Sequence, residues 1–280
     1  MPLKSVEPIT LNNERAIRGI ITNRGIHFSK GLMSEDALLG FIYDSSKIYN
    51  LNTGFYRSCL LTQQKPAYKV SEEFIAKIYH MFRTNRRPSV SRVPNALILN
   101  DFYPEFDYGS NVTFLTRPTD TRSIRNYINH FKPKVVATDA ECCAVYNLPS
   151  NRSYDYIAFA FNYTNVFIWY RPKRTHLKDL YKFFQNNNVT VLHWGAGDKD
   201  GFVTNQLHMD LQPLYDGTQI SLNAAAQIFT GKPLDKGLTM GLWSTPPEEM
   251  FVLYREFFDY LIMDVLILLV IYDAYNENNF

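Results

Sequence analysis

Cysteine is scarce in this chain and badly spaced for cross-linking: Cys59, Cys142 and Cys143 are the three, and two of them are adjacent. An odd count with a neighbouring pair excludes a disulfide framework and a CxxC zinc knuckle, and points to a reducing, intracellular setting, cytoplasmic or nuclear. Long apolar runs are missing too. The longest, residues 261–271, falls short of the ~20 residues a membrane-spanning helix needs and contains Asp264, so it reads as a buried helix, with no membrane partner expected. No apolar stretch follows residues 1–5, so no secretory signal is expected. A surplus of one charge sign is absent as well, with 29 Lys and Arg against 27 Asp and Glu. Any basic surface must therefore be local. Fourteen cations and ten acids precede Gly109, which puts the positive excess in the N-terminal part.

What is abundant is apolar mass. At 46% hydrophobic residues the chain can bury one substantial core or two small ones. The periodicity of apolar positions predicts a helix over 34–49 with Ser34 as N-cap, and a second over 71–82 with Phe74, Ile75, Ile78 and Phe82 on one stripe. From 86 to 109 the periodicity fades and Pro88, Pro94 and Pro104 intervene, predicting an extended connection with one short strand at 96–99. Beyond Gly109 strands alternate with helices. Strands are expected at 112–115, 134–138, 156–161, 166–170, 189–193 and 209–214, and helices at 121–131, 177–184, 222–229 and 248–275. The reading is a mixed α/β chain, with an N-terminal helical region and linker over 1–109 and a strand–helix alternating domain over 110–280.

Three places put carboxylates where they need an explanation. Val135-Val136-Ala137-Thr138 runs straight into Asp139-Ala140-Glu141, and the strand period of two sends both acids to one face. An acid-x-acid triplet alone is usually a turn or a solvated strand end; the apolar run before it raises the functional share, because a charge ending a buried strand needs a partner or a metal. Val191-Leu192-His193-Trp194-Gly195-Ala196-Gly197-Asp198 is a strand, a small-residue turn and an acid that serves equally well as a helix N-cap, with Asp200 competing for its role. Tyr260 and Asp264 are four apart and share a helix face within a strongly apolar segment. An exposed polar face explains Asp264 less well than compensation by a cation does.

In order and spacing these blocks resemble the DEDDy exonuclease superfamily, which includes ribonuclease D, the Werner-type exonucleases and the Nibbler-type small-RNA trimmers. Asp139 and Glu141 fit its first motif, the string from Leu192 to Asp198 its second, with His193 five positions ahead of the acid, and Tyr260 and Asp264 its third. Residues 220–237 and the Trp243-Ser244-Thr245-Pro246-Pro247 turn are similar to the stretches before the third motif, so the likeness covers roughly 111–275. Two features depart from the pattern: Cys142-Cys143 follows the first-motif glutamate, and the distance from Pro247 to Tyr260 is long, as for a small insertion.

The resemblance implies a ribonuclease H-like fold, a mixed central sheet flanked by helices, and a 3′→5′ exonuclease that uses two Mg²⁺ or Mn²⁺ ions. It implies that Asp139, Glu141 and Asp264 bind the first ion, that Asp139 bridges to the second, that Asp198 holds the second mainly through water, and that Tyr260 orients the attacking water. The expected partner is single-stranded nucleic acid, RNA ahead of DNA. Its expected contacts are His193, Trp194, Arg86 and Arg87 of the cluster Arg83 to Arg92, and Arg171, Lys173 and Arg174; for either basic run a solvated loop is an equal alternative. A catalytically weak scaffold that binds a protein partner through its N-terminal helices is the competing expectation.

Overall fold

The computed structural model describes residues 11–29, 34–49, 51–61, 71–86, 93–142, 154–195, 197–212, 219–235, 246–253 and 255–278. Backbone contacts divide the chain into two units: residues 1–96 with 143–146 and 235–242, and residues 97–142 with 147–234 and 243–280.

The first unit holds four helices among its described residues: α1 (Leu11–Ser29), α2 (Glu35–Tyr49), α3 (Thr53–Leu61) and α4 (Glu72–Thr84). α4 forms where the sequence predicts it. The Ser71 hydroxyl accepts the Phe74 N–H at its start, and Asn85 ends it in the left-handed conformation. Phe74, Ile75, Ile78 and Met81 make its buried stripe. α1 and α3 are absent from the sequence reading. α1 is rich in Asn, Arg and Gly and carries only a thin apolar seam, so its periodicity is weak, yet Ile17 and Ile21, one turn apart, are fully buried.

The second unit opens with two single-turn helices, α5 (Leu99–Phe102) and α6 (Tyr108–Asn111). The strand expected at 96–99 is not formed. Its backbone is claimed elsewhere: the Leu97 N–H donates to the Pro233 carbonyl, and the Asp101 carboxylate caps the Ile98 N–H to start α5. The remaining elements follow the predicted alternation: β1 (Val112–Leu115), α7 (Thr121–Phe131), β2 (Val135–Glu141), β3 (Tyr156–Asn162), β4 (Asn165–Tyr170), α8 (Arg174–Asn186), β5 (Thr190–His193), β6 (His208–Asp210), α9 (Leu222–Thr230), α10 (Pro247–Leu253) and α11 (Arg255–Asn278).

The strands form one mixed six-stranded sheet in the order β1-β4-β3-β2-β5-β6. β2 lies at its centre-right, antiparallel to β3 and parallel to β5. Helices cover both faces, as expected for a mixed α/β domain. On one face Ile124 and Ile128 of α7 and Leu177, Leu180, Tyr181 and Phe184 of α8 pack on Val136, Phe159, Trp169 and Val191. Each such aromatic or Leu side chain taken from water contributes about 1.5–3 kcal/mol. α11 packs against β2, β3 and β5. From Leu261 to Ile267 every residue of that helix is buried, which is why it is apolar all round instead of amphipathic.

Candidate active site

Strand alternation decides which way the first two acids face. Val136 belongs to the core under α7 and α8 and Ala140 packs against it, so Asp139 and Glu141 project from the other face of β2, the one α11 covers. The small Ala158 pairs with Asp139 on the neighbouring strand, and Tyr156 pairs with Glu141. From α11 comes Asp264, only 3% exposed. Oxygens of Asp139, Glu141 and Asp264 all lie within 4.8 Å of one another. Two of these residues are neighbours on a strand and the third is 123 positions on, so the cluster exists only through packing.

Like charges so close repel. At 4.8 Å and an effective dielectric of about 20 each pair costs roughly 3 kcal/mol. A divalent cation among them reverses the sign of that balance. The donor set fits such an ion: among the described residues it is all carboxylate oxygen, the chemistry hard ions such as Mg²⁺ and Mn²⁺ take, with no thiolate or imidazole to favour a softer metal.

Tyr260, one turn before Asp264, is also 3% exposed. Burial first, then the nearby charges of Asp264, Glu141 and Asp139 and a hydrogen bond to Asp264, push its phenol well above the usual tyrosine range. It therefore stays a proton donor to the Asp264 carboxylate.

Asp198 stands in a single 3₁₀ turn, Gly197–Lys199, that follows β5 and packs beside β2. Its side chain lies outside the described residues. The surrounding backbone is held by polar contacts that sequence reading did not find. The Tyr154 hydroxyl accepts the Asp200 N–H at 3.0 Å and donates to the Gly197 carbonyl at 3.4 Å, spanning the turn from both sides. One step earlier, the His193 ring meets the Gly195 carbonyl at 2.7 Å through Nδ1, and Asp210 accepts the Gly195 N–H at 2.8 Å. Gly195 has φ 73°, and a side chain there would press on the Gln212 side chain at 3.1 Å, so glycine is favoured. Asp200, the competitor of Asp198, is engaged by Arg174. No local pattern flags Tyr154, because its partners lie more than 40 residues away in sequence.

The residues expected to contact nucleic acid are spread over several surroundings. His193 is fully buried; its Nε2 lies 3.1 Å from His208 Nδ1, and burial lowers its pKa. Trp194 is half-buried and Lys173 exposed. Arg171 forms an ion pair at 2.8 Å with Asp155, which is 1% exposed. Arg174 is the partner of Asp200. Arg83 and Arg86 are exposed in the first unit, while Arg87 and Arg92 lie outside the described residues. The long interval between Pro247 and Tyr260 is occupied by α10 and the start of α11, with Tyr254 outside the described residues, and Phe251 stacks edge-on against Tyr108. Among the described residues no helix is long and apolar enough to cross a membrane.

No family profile and no curated protein matches the chain. Among solved structures, the catalytic core of RRP6 from Trypanosoma brucei is similar at 19% identity and a TM-score of 0.46, over 59% of this chain and 46% of its own. RNase D from Trypanosoma brucei is similar at 12% identity and 0.45, over 58% and 63%. NrnC from Brucella melitensis is similar at 13% identity and 0.40, over 60% and 81%. The chain thus spans about half the length of the RRP6 core and under two thirds of RNase D. The likeness is one of chain path, and the chemistry of the site rests on its own residues.

Proposed function

We propose that this chain is a divalent-metal-dependent 3′→5′ exonuclease acting on single-stranded 3′ ends, RNA ahead of DNA. One observation carries the reading: three carboxylates from a strand end and a buried helix converge within 4.8 Å, with a protonated phenol hydrogen-bonded to one of them. Oxygen-only clusters of this kind suit a pair of Mg²⁺ or Mn²⁺ ions, with Asp139, Glu141 and Asp264 as ligands and Asp198 completing the set. Bound there, such ions lower the pKa of a water and neutralise charge on the phosphate and the leaving 3′ oxygen. The remaining work falls to the protein. Tyr260 keeps its proton, donates it in a hydrogen bond to Asp264, and can accept a hydrogen bond from the attacking water at its own oxygen, orienting it. The buried flank of α11 keeps bulk water from the rear of the site. The domain division at 109/110 is part of the same proposal, with the preceding helices available to a protein partner.

The test is a 5′-labelled single-stranded RNA and its DNA counterpart, incubated with Mg²⁺ or Mn²⁺ and the purified full chain. Stepwise shortening from the 3′ end, lost in Asp139→Ala, supports the proposal. Intact substrate under every metal condition refutes it and favours the scaffold alternative.

A further inference from the structure

The second unit is acidic in sum, with 14 Lys and Arg against 19 Asp and Glu, yet most of its cations fall in two segments. Residues 117–134 carry five cations and one acid, and residues 171–186 again five and one, a net charge of +8 in a chain whose total is +2. These segments hold α7 and α8, which lie side by side on the same sheet face: the Arg125 guanidinium sits 4.6 Å over the Phe183 ring and donates to the Asp179 carbonyl. That face is the reverse of the one bearing Asp139 and Glu141.

Part of this charge is neutralised within the fold, since Arg117 meets Asp120, Arg171 meets Asp155 and Arg174 meets Asp200. Arg122, Lys132, Lys134, Lys173, Lys178 and Lys182 are exposed, and among the described residues none of them stands in an ion pair. Arg174, Lys178 and Lys182 follow each other at intervals of four, one stripe of like charge about 6 Å apart along α8. Such a stripe costs helix stability on its own and gains it back when a polyanion lies along it. At the end of α7, next to Lys132, Phe131 is 63% exposed, braced by Tyr127 at 4.7 Å and by the edge-on ring of His130 at 4.5 Å. An exposed aromatic ring next to an unpaired lysine, on a helix packed beside a basic one, suits unstacked bases on a phosphate backbone better than it suits a lipid headgroup layer or an acidic peptide. The stripe also has a direction: its Arg174 end pairs with Asp200, two residues past Asp198.

From this we infer that the outer face of α7 and α8 is a second nucleic-acid surface, which holds the upstream part of a single strand away from the carboxylates. Binding there does not depend on the exonuclease reading; only the purpose of the bound strand does.

The experiment separates the two. Asp139→Ala protein, incapable of cleavage under that reading, is titrated in chelator against a fluorescent single-stranded RNA of about 20 nucleotides, over a range of salt. Arg122→Gln/Lys178→Gln/Lys182→Gln in the same background should weaken binding roughly 100-fold near 0.1 M salt and flatten the log–log salt slope by about 2. Phe131→Ala should weaken it about tenfold with the slope kept. The charge-matched Arg15→Gln/Arg57→Gln/Lys77→Gln protein, whose three cations lie exposed in the first unit, should bind as its parent does. The inference is overturned if the parent does not bind, if the α7/α8 triple leaves the slope unchanged, if the N-terminal triple carries the loss, or if the α7/α8 triple loses only binding to phosphatidylserine vesicles. Circular dichroism melts of each variant guard against unfolding, and a failure of trimming with this binding intact counts against the nuclease proposal alone.

Discussion

Replacing Asp264 by Asn should make the metal-free protein more stable and the metal-treated protein less responsive. Each carboxylate pair within 4.8 Å costs about 3 kcal/mol at an effective dielectric near 20, and the substitution removes two of the three pairs. Asp139 and Glu141 are half-buried, so water screens part of this gross figure, and about 2 kcal/mol should survive as stability. The amide oxygen still accepts from Tyr260, so that hydrogen bond is not forfeited. For a domain of this size the gain corresponds to a melting temperature some 4–8 °C higher in chelator. Wild-type protein should gain about 2.7 kcal/mol when Mn²⁺ reaches a hundredfold excess over its dissociation constant, and the variant should lose most of that gain. Differential scanning fluorimetry in EDTA and in graded Mn²⁺ measures both. A variant that melts below wild type in EDTA while keeping the full Mn²⁺ response refutes the reasoning, because the acids would then be neither in mutual conflict nor jointly holding a cation.

Tyr260→Phe should leave the Mn²⁺ titration nearly unchanged and lower the trimming rate by about 100-fold, read as kcat in single-turnover assays, since it removes only the hydroxyl. Tyr154→Phe keeps the buried ring and deletes the bridge to Gly197 and Asp200; it should cost about 1 kcal/mol in denaturant unfolding and speed amide exchange over residues 195–200, and in an Asp198→Asn background it should lower activity no further. The pH dependence has a definite sign. Burial holds the His193 pKa below the ordinary value of about 6.5, so its contribution to stability is fully present above that value and is lost as pH falls toward the folded-state pKa. Melting temperatures from about pH 7.5 down to 5.5 should therefore decline, and His193→Gln should flatten the decline; parallel curves for the two proteins contradict the assignment.

Much of the second unit could be read from local pattern because its signals are strong over short windows. The hairpin of β3 and β4 and the helices α7 and α9 occur where alternation or period places them, within a residue or so at each end. Asp264 was legible as a buried acid from its apolar neighbours alone. Elements with diluted signals were not: α1 has a thin seam of Ile17 and Ile21, and residues 96–99 satisfy their backbone outside any sheet. Charge misled in a different way, since a count along the chain puts the positive excess before Gly109 while folding lays α7 and α8, the helices of the basic segments 117–134 and 171–186, on one face of the sheet.

By itself, then, the sequence determined the alternation of strands and helices, the single face shared by Asp139 and Glu141, and the pairing of Tyr260 with Asp264, because each follows from a repeat of two or of 3.6 residues. Only the tertiary structure decided that the strand acids and the helix acid meet, that Tyr154 spans the turn of Asp198, and that α7 and α8 place their charges side by side. Those are contacts between segments far apart in the chain, and no local repeat encodes which face of one element will be packed against another.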